Sequence, residues 1–148
     1  FRVFRFLTDI SPAGETDARQ SFKTYCTGSR RRGLAVVISD FLDMHGIESA
    51  LNILRLRHDV FAVHITSHEE IDPQLKGEIM LVDSESQTSR EVTVTTPLLA
   101  AYRLEYTRYC EAIENYCAKY QLGYVRTPTD FPFEELVLQV FRQGRFLK

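Results

Sequence analysis

Oxygen donors gather at three places in this chain, each just after a run of apolar residues. Ser39, Asp40 and Asp43 follow the first run, Thr66, Ser67, His68, Glu69, Glu70 and Asp72 the second, and Thr127, Thr129 and Asp130 the third. Carboxylates and hydroxyls are the hard ligands that Mg²⁺ and Ca²⁺ prefer. The same residue types cap helices, and that is their commoner duty: Ser39 or Asp43 ahead of a helix at Ile47, Asp130 ahead of the last helix. His68-Glu69-Glu70 invites a metal reading, but two further ligands at zinc spacing are missing, and a solvated loop is the expectation. No G-x-S-x-G, Walker A or dinucleotide-type G-x-G-x-x-G motif occurs, so catalysis has no positive sequence support.

Three strands are needed to carry these donors. Gly33 to Asp40 holds the continuous run Leu34-Ala35-Val36-Val37-Ile38, which predicts a central strand buried on both faces, as in parallel sheets. An amphipathic helix from Ile47 to Arg57 follows, with Ile47, Leu51, Leu54 and His58 on one stripe. Val60 to Ile65 is a second short strand, so the three elements form a right-handed βαβ unit. Glu78–Val82 and Glu91–Thr95 read as a hairpin inserted over roughly residues 77–96. Pro97 opens a long helix running to about Tyr120, on which Tyr102, Tyr106, Tyr109 and Tyr116 suggest a packing face first and a partner surface second. Tyr124–Arg126 is a third strand, and a last helix starts at Pro132 or Phe133 and runs through Arg142. Upstream, Phe1–Ile10 reads as a helix end, and a helix over Ala18–Gly28 is capped by Thr16 or Asp17, with Phe22 and Tyr25 inward. The alternation predicts an α/β sheet with helices on both faces. Ligands of such sheets collect at the carboxyl ends of the strands, beside a topological switch.

Bulk properties narrow the partners. The 148 residues are the size of one ordinary domain, and 44% apolar with 26% charged residues is a globular balance. A net charge of −2 gives no electrostatic case for nucleic acid. Arg30-Arg31-Arg32 is a short basic turn, read as solvated. No apolar run approaches the ~20 residues of a membrane span, so a cytoplasmic setting is expected for this chain, with membrane association left open for the full-length protein. Cys26, Cys110 and Cys117 contain no CxxC pair; the last two lie about 10 Å apart along one helix, too far for a disulfide, and read as small reduced hydrophobes. The first residue is Phe1, which predicts that the chain begins inside a longer polypeptide or after processing.

Gly14-Glu15-Thr16-Asp17, Gly33 through Asp43, Asp72-Pro73, Leu81 through Glu85, Thr127-Pro128-Thr129-Asp130 and Phe133 through Leu136 together resemble a large bacterial family along essentially the whole chain. It is the uncharacterised group of von Willebrand factor A-like proteins, domain of unknown function fifty-eight, often encoded beside MoxR-type AAA+ ATPases. The resemblance implies a three-layer, doubly wound, mostly parallel, Rossmann-like sheet with a metal-ion-dependent adhesion site at its carboxyl edge. Thr16 aligns with the Thr loop of that site and Asp40 with its third-loop Asp. The principal Asp-x-Ser-x-Ser loop has no counterpart in this sequence. Residues 1–148 therefore resemble the C-terminal part of a single domain, whose first strand would lie upstream of Phe1.

The function this implies is a non-enzymatic protein-interaction domain, assisted by Mg²⁺ held partly by Thr16 and Asp40, with a MoxR-type ATPase or its client as partner. Two oxygen ligands are a third of what a hard cation wants, so weak Mg²⁺ binding by this chain alone is expected. A sheet lacking its central neighbour is also expected to expose an apolar edge, inviting homodimers. The alternative is a metal-dependent phosphoesterase or nuclease using Asp40, Asp43 and Asp130, which requires those carboxylates to converge.

Overall fold

The computed structural model describes residues 2–11, 16–28, 31–43, 46–83 and 86–143. Its element order is α1 (Arg2–Asp9), α2 (Ala18–Gly28), β1 (Leu34–Ser39), α3 (Ile47–Arg55), β2 (Asp59–Thr66), α4 (His68–Ile71), β3 (Gly77–Val82), β4 (Ser89–Val94), α5 (Thr96–Lys119), β5 (Gly123–Pro128) and α6 (Phe133–Gln143). The described part of the Gly14–Asp17 motif is Thr16 and Asp17; Gly14, Glu15 and Arg30 lie outside the described residues.

Strands β1, β2 and β5 form a parallel sheet in the order β1-β2-β5, with Leu34 opposite Asp59 and Phe61 opposite Gly123 at the near ends. The central strand is β2, which corrects the expectation for β1. Phe61, Ala62, Val63 and His64 on β2 are all buried, whereas Leu34, Val36 and Ile38 on β1 are 45%, 46% and 68% exposed. A continuous apolar run marks a strand designed to be covered on both faces, but it does not say which neighbours do the covering. Among the described residues, no strand pairs with the outer edge of β1. Nor do these three strands contain a topological switch, since their order runs one way across the sheet.

One face of the sheet carries α2, α3 and α5. The α3 stripe Ile47, Ala50, Leu51 and Leu54 recurs at helical spacing and packs with Val60, Ala62, Ile113 and Cys117. Helix α5 starts where Thr95 accepts the Leu98 N–H, with proline in its first turn. The opposite face carries α6, whose Leu136 and Val140 cover Phe61, Val63 and Val125. Gly123 sits against the Phe61 ring so closely that a Cβ there would overlap it. All three cysteines are free and buried, in line with their reading as hydrophobes; burial pushes the Cys117 thiol up to about 12. The hairpin β3–β4 is a separate antiparallel pair. No described helix is long and apolar enough to cross a membrane.

Candidate functional site

Because the three strands are parallel, Ser39, Thr66 and Pro128 all end on one side of the sheet. A crevice of about 330 Å³ opens there, lined by Ile38, Ser39, Asp40, Ile65, Ser67, Glu70 and Thr129. Two of its walls are tied together, since the Thr129 N–H donates to the Thr66 carbonyl at 3.0 Å.

The wall from β1 has an unusual backbone. Asp40 is exposed, and its carboxylate accepts the Leu42 N–H at 3.1 Å and the Ser39 hydroxyl at 3.4 Å. The next residue, Phe41, has φ of +60° although it is 1% exposed and bulky. A side chain there costs roughly 1–2 kcal/mol relative to ordinary backbone and persists only when surroundings enforce it. Here the Tyr109 hydroxyl donates to the Phe41 carbonyl, the Phe41 N–H donates to Ser39 Oγ at 2.9 Å, and the Phe41 ring meets the His64 ring edge-on at 5.2 Å. Burial pushes the Tyr109 phenol up to about 12, which keeps it a neutral donor. Strained residues of this kind cluster at functional sites.

The N-cap residue of α3 is Gly46, which forms no side-chain cap. The Asp43 carboxylate accepts the Ala18 N–H at 2.9 Å, satisfying an orphan donor at the start of α2. Asp17 adds a second cap there, accepting the Gln20 N–H at 2.7 Å. The bond from Asp43 to Ala18 brings the Thr16–Asp17 segment beside the Asp40–Asp43 loop, although 25 residues separate the two partners in sequence. Thr16 itself is exposed just ahead of α2.

The donors of the second and third strands have local duties. Ser67 and Glu70 make a reciprocal capping box, so His68-Glu69-Glu70 is the body of short helix α4 rather than a loop. Asp72 pairs with Arg103 at 2.6 Å, and the Tyr102 hydroxyl donates to the Glu70 carbonyl. Asp130 meets His68 Nε2 at 3.1 Å on the exposed rim, and that imidazole draws its carboxyl below the usual range. Thr127 is buried. Among the described residues, no three His, Cys, Asp or Glu side chains come together as a metal cluster. The support under the site, Phe41, His64, Tyr109 and Tyr124, was only partly visible in sequence: Tyr109 stands on the tyrosine face expected of the long helix, and His64 interrupts the otherwise apolar run Val-Phe-Ala-Val-His-Ile.

These features define an α/β protein with a parallel sheet and, at its strand ends, a crevice walled by Ile38 and Ile65 together with Ser39, Asp40, Ser67, Glu70 and Thr129. Residues 1–114 match the family described as "Protein of unknown function DUF58", and the chain belongs to that family. Over 69 residues it is 35% identical to an uncharacterized protein of Mycobacterium avium, a stretch making up 47% of this chain and 41% of that protein. An uncharacterized protein of Mycobacterium tuberculosis is also 35% identical over 69 residues, which are 22% of its length. The match thus spans less than half of either relative. No solved structure matches the chain significantly.

Proposed function

We propose that this chain is the C-terminal part of a non-enzymatic interaction domain whose strand-end crevice presents a divalent cation to an acidic group on a partner protein. One observation carries the reading: the hydrogen bond from Ala18 to the Asp43 carboxylate, which ties the Thr16 segment to the loop bearing Asp40. Thr16 and Asp40 would then contribute oxygen to the same ion, directly or through water. One Asp40 oxygen already accepts two hydrogen bonds, leaving the other for the ion. Two protein donors do not make a Mg²⁺ shell, which wants about six oxygens. The reading therefore assigns the remaining ligands to water, to the partner and to a segment upstream of residue 1. The open edge and exposed face of β1 support such a segment, because a parallel strand with its own helix would cover both. The bound ion would supply a Lewis-acidic contact for a carboxylate.

By family resemblance the partner is a MoxR-type AAA+ ATPase or its client, and the role is assembly of complexes. Nothing in the geometry favours the hydrolase reading, since Asp43 is bonded to Ala18 and Asp130 to His68. The test is capture of the MoxR-type ATPase by the immobilised full-length protein. Capture is expected in Mg²⁺ and is expected to fall in EDTA and with Asp40→Asn. Capture indifferent to both would remove the metal-bridged mechanism.

A further inference from the structure

His64 lies on the central strand opposite Ser39 and is 1% exposed. A purely packing position there would be filled at lower cost by an aliphatic residue, since a buried imidazole needs hydrogen-bond partners. It has one in Tyr124 on β5, whose hydroxyl sits 2.9 Å from Nδ1. The ring also presses edge-on against Phe41, with 5.2 Å between centroids. Tyr109, from α5, grips the Phe41 carbonyl. Three elements thus converge beneath one strained residue.

We infer that His64, Tyr109 and Tyr124 are positioning residues for the Asp40 loop. They hold Phe41 in its left-handed conformation, so that the carboxylate before it stays in the wall of the crevice. None of the three reaches the crevice itself; they act through the backbone that follows Asp40. The inference takes that loop as the functional site proposed above, and its test reads the loop without any cation or partner.

The test is amide hydrogen exchange on the full chain. The N–H groups of Phe41, Leu42 and Asp43 all have acceptors and are measurable. His64→Leu and the milder Tyr109→Phe are expected to speed their exchange by at least about tenfold, a difference of about 1.4 kcal/mol. The amides of Val63 and Val125 are expected to stay protected. His64→Gln, which keeps a donor and an acceptor, is expected to restore part of the loop protection. Unchanged exchange at Phe41–Asp43 in Tyr109→Phe would overturn the inference, as would equal acceleration at Val63 and Val125. Should loop exchange respond as expected while partner capture ignores Asp40→Asn, the scaffold stands and the metal-bridged reading falls.

Discussion

At the scale of single residues, carboxylates that look alike in sequence do different work. Asp40 is exposed in the crevice wall, Asp43 caps a helix from a distant loop, and Asp130 pairs with His68 on the rim. Spacing alone could not separate them, because Asp40 and Asp43 flank the same turn and either could cap the next helix. What separates them is the left-handed backbone at Phe41. The Asp43 bond makes a direct prediction. Asp43→Ala removes the cap on Ala18 and should cost about 1–2 kcal/mol, measured by denaturant unfolding. A loss no larger than that of an exposed control such as Asp9→Ala would show that the two segments are not held together by this bond.

At the scale of elements, most of the architecture was legible. The periodicity of Ile47, Leu51 and Leu54, the turn chemistry between β3 and β4 and the proline opening α5 each reflect local physics, and those elements lie where the sequence puts them. Lateral order was not legible. The apolar runs of β1 and β2 read alike, and only the pairing among the described residues makes β2 central and β1 an edge. The site was half legible: its oxygen donors were visible in sequence, but their support from His64, Tyr109 and Tyr124 comes from long-range contacts with no local pattern. Gly123 is a further case, since its need for a missing side chain arises only where β5 passes the Phe61 ring. Gly123→Ala should destabilise the chain by about 1–3 kcal/mol through overpacking. A thermal melt unchanged from that of the parent chain would contradict the β2–β5 register.

At the scale of the whole molecule, the dominant feature is what β1 leaves open. Its outer edge is without a partner strand among the described residues, and Leu34, Val36 and Ile38 form an exposed apolar stripe beside it. A groove of about 490 Å³ runs along the strand, walled by Phe22, Tyr25 and Leu54. An open edge with apolar side chains is a template for further pairing. The 148-residue chain by itself should therefore self-associate with rising concentration in sedimentation velocity, and Val36→Lys, which puts charge on the stripe, should suppress this. A strictly monomeric chain at high concentration would argue that the edge is protected.

On the proposed function, Asp40, held on its strained loop beside the Thr16 segment, is one ligand of a cation site that this chain only partly supplies. The decisive measurement is isothermal titration of Mg²⁺ into the full-length protein, its Asp40→Ala variant and the 148-residue chain. Binding is expected for the full-length protein, at least about tenfold weaker binding for the variant, a change worth about 1.4 kcal/mol, and little or none for the chain alone. Equal affinity in the full-length protein and its variant would contradict that reading, as would micromolar binding by the isolated chain that Asp40→Ala abolishes.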